Sequence, residues 1–352
     1  MALTRLRLHS ALLRPIETVA WLAAAIYLAG VGCWLLVQQL VGDGAWWLFL
    51  INAMGIYLFV PLPLALAVAL WRRSLPLGGG SLAAVAVFAL LWGGLFWPNA
   101  HEQPEGPVLT VMTYNLLGFN NDPEGVVEAL LASDADIIGL SELNRPVAAA
   151  IARELREAYP HQTLDPQDGV TGSGVISRLP FKRVATGELR DVGWISPPTV
   201  LELEFEGEQV LFVRVHSASG APHFEARERQ AHLLADFAAA QQQPVIIAGD
   251  FNTTDRNDSY AILTEHLYDA WEKAGSGLGN TFPGVSREVT PGSSRPDMLG
   301  IDVPKWLIRI DYVFCTYDWE AVDARIGPWD GNSDHRPVIA EVTLRKHEYA
   351  GP

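Results

Sequence analysis

The sequence has little cysteine and, beyond residue 100, little positive charge, and both shortages exclude classes of protein. Two cysteines in 352 residues, Cys33 and Cys315, are too few for a disulfide framework, so neither an oxidising nor a reducing compartment is indicated. Residues 101–352 carry 20 Lys and Arg against 38 Asp and Glu. Because non-specific affinity for nucleic acid comes from basic side chains that neutralise phosphates, this acidic segment argues against tight binding of nucleic acid.

Charge of either sign is scarce in the first hundred residues, which carry five basic and two acidic side chains. Three apolar runs lie there, and each is long enough to cross a hydrocarbon core of about 30 Å. A cleavable signal peptide is the alternative, but two further apolar runs follow the first one. We therefore predict a membrane anchor over 1–100, with three transmembrane helices over about 18–40, 45–71 and 78–98.

The arginines around these runs predict their orientation. Three arginines precede the first run, and Arg72 and Arg73 separate the second run from the third. Basic residues stay on the cytoplasmic side of a membrane. Three crossings would therefore deliver residues 101–352 to the outer face of the cell (inner) membrane.

The remaining chain mixes strand and helix patterns. A linker rich in Pro, Gly and Glu over 101–107 precedes a segment, 108–344, that is long enough to form one large domain, and 345–352 is expected to be a loose tail. Hairpins alternate with strand-helix-strand units, which favours an α/β (α+β) sandwich over a doubly wound sheet. The patterns predict strands over 108–114, 137–140, 174–177, 200–205, 209–215, 245–248, 309–314 and 337–344, and helices over 123–132, 146–159 and 222–241.

Polar side chains recur at the ends of the predicted strands, where loops carry function on a rigid scaffold. Each alone could be a helix cap or a turn residue. Together they supply three carboxylates, two carboxamides and an imidazole, an oxygen-rich set suited to a hard cation such as Mg²⁺ or Mn²⁺, whereas no Cys-His spacing supports zinc. The set is Asn115, Glu142, Asp250, Asn252, Asp334 and His335.

Two further polar residues lie within apolar strands. His216 ends the sequence Leu-Phe-Val-Arg-Val-His, and Asp311 lies inside Arg-Ile-Asp-Tyr-Val-Phe. A buried charge is costly unless it is paired, so Asp311 needs a partner. His335 is the first candidate, and a surface pair with Arg309 is the alternative.

Six short motifs occur in order along this segment: Thr-Tyr-Asn115, Ser-Glu142, Val-His216, Gly-Asp250-Phe-Asn252, Arg-Ile-Asp311-Tyr-Val-Phe and Ser-Asp334-His335-Arg-Pro-Val. In this order they resemble the endonuclease/exonuclease/phosphatase (DNase I-like) superfamily, which includes DNase I, abasic-site endonucleases, sphingomyelinases and inositol-polyphosphate 5-phosphatases. The apolar helices in front resemble its bacterial membrane-anchored branch. The resemblance covers about 108–344. It implies a four-layer sandwich of two mixed β-sheets flanked by helices, and hydrolysis of a phosphoester by in-line attack of water.

The resemblance also implies a metal cofactor, Mg²⁺ or Mn²⁺. Glu142 would be its main ligand, with Asn115 and Asp334 nearby. Asp250 would orient or deprotonate the attacking water, and Asn252 would hold the phosphate or that water. Such a set suits phosphoryl transfer, which needs charge neutralisation and positioning more than covalent chemistry.

Both histidines receive roles from the same resemblance. Asp311 would fix the tautomer of His335 so that the other ring nitrogen faces the phosphate, and His216 would donate to phosphate oxygens or to the leaving group. Arg227 and Gln230, one helical turn apart, either brace the site or, in the case of Arg227, lie on a solvated face.

The sequence is compatible with three functions, of which it favours the first most and the third least. The first is a membrane-anchored, metal-dependent phosphoesterase that acts at the outer face of the membrane on a mono- or diester near the bilayer, such as a lipid head group or a polyprenyl carrier phosphate. The second is an extracytoplasmic endonuclease or exonuclease of the same chemistry. It is disfavoured because no basic groove is evident and no tyrosine closely follows Gly174, where some nucleases of the family place one. The third is an inactive binding domain tethered to the membrane.

Overall fold

The computed structural model describes residues 2–97, 106–185, 187–190, 192–284, 297–298, 301–329 and 331–345. The predicted linker over 101–107 and the predicted tail over 345–352 lie almost wholly outside these residues. The chain divides into two compact units, Met1–Phe96 and Trp97–Pro352.

The first unit is helical. Two stretches, Arg14–Val41 and Leu75–Phe96, are long and apolar enough to cross a membrane. A third pair of helices, Trp46–Ala53 and Gly55–Trp71, is bent by 63° and forms another span if the pair crosses as one. The unit therefore contains two to three candidate spans, which indicates membrane association. Its elements are α1 (Ala2–Val41), α2 (Trp46–Ala53), α3 (Leu62–Trp71) and α4 (Leu75–Trp92), with 3₁₀ turns over Gly55–Phe59 and Gly93–Phe96.

Two buried polar side chains of this apolar unit, Asn52 and Asp43, are joined with Trp34 by hydrogen bonds, whereas the buried hydroxyl of Ser81 has no partner among the described residues. The indole nitrogen of Trp34 donates to Asn52 Oδ1 at 3.0 Å, and Asn52 Nδ2 donates to Asp43 Oδ1 at 2.8 Å. The ring of Phe59 packs edge-on against Trp34 and Trp92, with ring centroids 6.1 and 5.6 Å apart. Hydrogen bonds within the protein are required where no water can satisfy a polar group.

The second unit contains two mixed six-stranded sheets. The first sheet has the order β13-β14-β1-β2-β4-β3 and the second β5-β6-β7-β8-β12-β9, while β10 and β11 form a separate ribbon. The strands are β1 (Leu109–Asn115), β2 (Ile137–Ser141), β3 (His161–Asp165), β4 (Ser173–Ser177), β5 (Phe181–Val184), β6 (Ser196–Phe205), β7 (Glu208–His216), β8 (Val245–Asp250), β9 (Tyr268–Asp269), β10 (Asp297–Met298), β11 (Ile301–Asp302), β12 (Asp311–Cys315), β13 (Trp319–Ile326) and β14 (Val338–Leu344).

Helices cover the outer faces of both sheets. Buried residues of α5 and α6 form one core with the first sheet, and those of α7 and α8 form another with the second sheet. Side-chain caps fix where α5 and α6 begin. Asp122 accepts from Gly125 N at the start of α5, and Asn144 accepts from Val147 N at the start of α6, both at 3.0 Å. The predicted four-layer sandwich is thus confirmed. The helices are α5 (Pro123–Ala132), α6 (Arg145–Glu154), α7 (Phe224–Ala240), α8 (Asp258–Leu263) and α9 (Ala270–Ala274).

Several predicted boundaries are wrong. The helix predicted over 146–159 ends at Glu154, and the one predicted over 222–241 starts with a separate 3₁₀ turn, Ala221–His223. The strand predicted over 309–314 starts at Asp311, so this carboxylate begins β12 instead of interrupting it. A strand end can carry a polar group toward a site at lower cost than a strand centre.

Candidate active site

Strand ends from both sheets meet at one edge of the sandwich. β1 ends at Asn115, and Glu142 directly follows the parallel neighbour β2. In the second sheet β7 ends at His216, which pairs with Asp250 at the end of the parallel strand β8. β12 runs antiparallel to β8, so its first residue, Asp311, lies opposite Asp250. The topology therefore collects five of the predicted site residues.

Glu142 is fixed by two hydrogen bonds and by a left-handed backbone. Its Oε1 accepts from Asn115 Nδ2 at 3.1 Å, and its Oε2 accepts from the amide of Gly118 at 2.7 Å. Its φ of 58° is uncommon for a residue with a side chain and marks local strain. Burial raises the pKa of Glu142 despite these hydrogen bonds. Its side chain is still 13% exposed, against 2% for Asp250, so Glu142 is the more accessible carboxylate.

Asp250 lies at the centre of the cluster. Its Oδ2 accepts from Asn115 Nδ2 at 3.0 Å, and its Oδ1 accepts from the amide of Asn252 at 2.9 Å. The Nε2 atoms of His216 and His335 lie 3.6 and 3.8 Å from the same Oδ2. Burial raises the pKa of Asp250 to about 7. A carboxylate that titrates near neutral pH suits a general base.

Asp311 has the imidazole partner that its burial requires. Its Oδ2 lies 2.9 Å from Nδ1 of His335. Burial alone would lower the pKa of His335, but the carboxylates of Asp311 and Asp250 outweigh it and raise that pKa well above the usual value. The alternative partner, Arg309, instead forms a buried ion pair with Asp269 at 2.5 Å. These two carboxylates therefore favour the protonated form of His335.

His216 differs from His335 because it has no carboxylate at Nδ1. Its Nε2 lies 3.9 Å from Glu142 Oε1, while Nδ1 is buried and has no hydrogen-bond partner among the described residues. Burial and the nearby charge of Arg214 lower the pKa of His216 well below its usual value. The ring is therefore neutral, and its single hydrogen is favoured on Nε2, which faces the carboxylates.

Asn252 and Asp334, the remaining predicted residues, lie at the rim of the cluster. Asn252 has a left-handed φ of 51°, and its Nδ2 donates to the carbonyl of Ser217 at 3.2 Å. Asp334 is close enough for its charge to contribute to the raised pKa of Glu142. Burial raises the pKa of Asp334 itself.

Arg227 and Gln230 brace the loop that follows β7. Gln230 Oε1 accepts from the amide of Ala218 at 3.0 Å, and Arg227 Nη1 donates to the carbonyls of Ala218 and Gly220 at 2.8 and 2.9 Å. The solvated alternative for Arg227 is wrong, because this side chain is 2% exposed.

Sequence reasoning missed two groups that organise the site. Ser333 Oγ donates to the carbonyl of Asn115 at 2.6 Å and accepts from the amide of His335 at 3.0 Å, so it ties two predicted residues together. The only sequence signal for Ser333 is its position in Asn-Ser-Asp-His, next to two predicted site residues. The second group is the Gly118 amide, which as a backbone donor has no sequence signal at all.

The donor set fits a hard divalent cation. The donor atoms of Asp250, Asp311 and His335 lie within 4.8 Å of one another, a grouping that differs from the predicted ligands. The hydrogen bond between Asp311 and His335 already occupies one oxygen and one nitrogen of that grouping. Glu142 is more accessible than Asp250 and lies next to Asn115. We therefore favour Glu142 and Asn115 as the part of the cluster that would hold the cation.

The fold is similar to that of solved structures. A protein of Bacteroides thetaiotaomicron described as belonging to the endonuclease/exonuclease/phosphatase family superposes with a TM-score of 0.51 at 20% identity, covering 70% of this chain and 99% of its own. Truncated TDP2 of Caenorhabditis elegans gives 0.53 at 18% identity, covering 69% and 100%. TDP2 of D. rerio complexed with a single-strand DNA product gives 0.52 at 17% identity, covering 68% and 100%. At these identities the similarity establishes the fold alone.

No curated protein matches the chain by sequence. The profile of one family does match, over residues 112–335, which is more than half of the chain and contains every residue of the cluster described above. The protein therefore belongs to the endonuclease/exonuclease/phosphatase family.

Proposed function

We propose that this chain is a membrane-anchored, metal-dependent phosphoesterase whose substrate is a lipid-linked phosphate ester at the outer face of the membrane. Its anchor would comprise 1–100 and its catalytic domain 108–344. The observation that carries the hydrolase assignment is the convergence of Glu142, Asp250 and the Asp311–His335 pair at one edge of a family domain. The apolar first unit supports the membrane location.

Asp250 is the general base in this proposal. Its pKa of about 7 lets it accept the proton of an attacking water at neutral pH. The amide of Asn252 holds one of its oxygens, which leaves the carboxylate fixed in orientation. Glu142, with Asn115 and Asp334, would hold Mg²⁺ or Mn²⁺, which when bound neutralises phosphate charge and favours attack by water.

The histidines act on the phosphate. His335 is cationic and is oriented through Nδ1 by Asp311, so its Nε2 hydrogen can bind a phosphate oxygen whose charge increases in the transition state. Burial favours the neutral form of His216, whose Nε2 lies 3.6 Å from Asp250 Oδ2 and 3.9 Å from Glu142 Oε1. It is placed to donate to a phosphate oxygen or to the leaving group.

The acidic composition of residues 101–352 and the proposed membrane anchor favour a membrane-borne substrate over DNA. A site tethered to the bilayer meets lipid phosphates at high effective concentration. DNA would have to approach residues 101–352, in which acidic side chains outnumber basic ones 38 to 20. Nucleic-acid binding depends on the opposite balance of charge.

A substrate panel tests the proposed function. The intact protein in liposomes is expected to hydrolyse a lipid phosphomonoester or a phosphodiester lipid faster than DNA, with Asp250→Asn as the inactive control. Activity is expected to require Mg²⁺ or Mn²⁺ and to stop on chelation. DNA cleavage at an equal or higher rate, falling steeply as salt rises, would instead support the nuclease alternative.

A topology experiment tests the proposed location. The arginines before the first run and at Arg72 and Arg73 support the proposal that those segments lie in the cytoplasm. A reporter enzyme that is active only outside the cytoplasm is therefore expected to be active when fused after Pro352 and inactive when fused after Arg73. The reverse pattern would contradict the proposed orientation and put the catalytic unit in the cytoplasm.

The pH profile tests the general base. With a pKa of about 7, Asp250 is protonated in a growing fraction of molecules as the pH falls below 7. The kcat/KM for a soluble phosphoester is expected to fall about tenfold per pH unit below that value and to level off above it. A flat profile between about pH 5 and 8 would contradict the assignment of the base.

A further inference from the structure

Exposed large hydrophobic side chains are rare in the second unit. Among the described residues from 106 onward, four are exposed: Phe119, Leu131, Val170 and Tyr317. Phe119 is 51% exposed and Val170 is 42% exposed. Leu131 is at the end of α5, and Tyr317 lies between β12 and β13, so neither is close in sequence to a strand end that carries a site residue.

Phe119 and Val170 project from two loops in direct contact. A Cβ atom on Gly118 would lie 2.3 Å from the carbonyl oxygen of Gly169, so only glycine allows the two backbones to approach this closely. A Cβ on Gly169 would lie 4.0 Å from Cζ of Phe119, which places that ring beside the second loop. The two exposed side chains therefore form one apolar ledge.

Backbone hydrogen bonds join both loops of the ledge to Glu142 and its neighbour Leu143. The amide of Gly118, next to Phe119, donates to Oε2 of Glu142 at 2.7 Å. The second loop is tied to the same place, because Leu143 N donates to the carbonyl of Gly172 at 3.2 Å. The two loops that carry the ledge are therefore bonded directly to Glu142 and to Leu143.

We propose that the ledge, Phe119 and Val170, inserts into the lipid surface and so presents the head-group phosphate of a membrane lipid to the site. The same chain carries helices apolar enough to span a membrane, which keeps the second unit near a bilayer. Its excess of acidic residues opposes electrostatic adhesion to anionic lipids, so contact with the membrane depends on apolar side chains. The lipid substrate rests on the proposed function, whereas insertion of the ledge does not.

The first test compares two substrates with the full-length protein in phosphatidylcholine liposomes. Phe119→Ser/Val170→Ser is expected to lower hydrolysis of an embedded lipid phosphoester by about tenfold or more, because apolar burial at the lipid surface is lost. Hydrolysis of soluble bis(p-nitrophenyl) phosphate is expected to stay within about twofold. The matched control, Leu131→Ser/Tyr317→Ser, removes the other two exposed hydrophobics and is expected to change neither rate. Equal losses on both substrates, or none on the lipid, would overturn the proposal.

The second test needs no activity. Cys33 is exposed and Cys315 is buried, so Cys33→Ser removes the reactive background thiol. A fluorophore attached through Val170→Cys in full-length protein is expected to be quenched by spin-labelled phosphatidylcholine more strongly than one attached through Tyr317→Cys. Equal quenching overturns the ledge. Stronger quenching at 170 without hydrolysis of any lipid phosphoester supports the ledge and rejects the proposed substrate.

Discussion

Asp250→Asn is expected to lower kcat by roughly 10²- to 10⁴-fold, the usual contribution of a positioned general base. The amide keeps the size of the side chain but cannot accept the proton of the attacking water. Folding is expected to survive. Burial raises the pKa of Asp250 to about 7, so the folded state favours the protonated form of this side chain. As the pH rises above the usual pKa of an aspartate, ionisation of Asp250 therefore reduces the stability of the folded state. A neutral side chain removes this penalty at pH 8.

The measurement is single-turnover hydrolysis of a soluble phosphoester, together with thermal unfolding of the same samples. Asp236→Asn, an exposed substitution of the same kind on α7, serves as the matched control and is expected to behave as wild type. Turnover at the wild-type rate in Asp250→Asn would remove Asp250 from the mechanism. Loss of activity accompanied by a much lower Tm would show a structural role instead.

Glu142→Gln is expected to raise the Mg²⁺ concentration required for half-maximal rate by about 10- to 100-fold. This loss of affinity is comparable to the losses seen when the surroundings of a metal site are altered. Gln keeps one oxygen donor but loses the charge that holds a hard cation. The hydrogen bond from the amide of Gly118 can still be accepted by that oxygen, so the strained backbone at position 142 keeps one of its supports.

Titration of activity against Mg²⁺, with calorimetry of Mg²⁺ binding as a second readout, measures this effect. Glu128→Gln on the exposed face of α5 is the control and is expected to leave both readouts unchanged. If wild-type activity survives complete chelation, the metal-dependent mechanism is wrong. If Glu142→Gln lowers kcat while Mg²⁺ affinity stays constant, Glu142 acts on the substrate and not on the metal.

The sequence was sufficient to predict the central strands but none of the edge strands. Central strands such as Ile137–Ser141 are buried along their whole length, so their apolar runs are unmistakable. The edges of the two sheets are His161–Asp165, Phe181–Val184, Tyr268–Asp269 and Trp319–Ile326. Three of these are half-exposed or mixed with charged residues, and the fourth has two residues, which is too short to form a pattern.

The positions of three site residues at strand ends were predictable, but the groups that hold them were not. Asn115, Glu142 and Asp250 each end or follow a buried strand, and neighbouring strand ends meet by topology. The donors from Gly118 and Ser333 depend on loop conformation, which leaves no periodic signal in sequence. Arg227 was ambiguous for a related reason, since a charged residue on a helix gives no sign that a loop will cover it.

The last strand of the sandwich also determines when the first sheet can be completed during synthesis. β14 pairs with β1, with Leu109 opposite Val342, and Ser333 reaches back across 218 positions to Asn115. Closing such distant contacts is slow, because a long loop must be ordered first. The first sheet therefore cannot close until Val338–Leu344 has been synthesised. Under the proposed function, a polypeptide that stops before β14 is therefore expected to be inactive, because it lacks the strand that pairs with β1 beside Asn115.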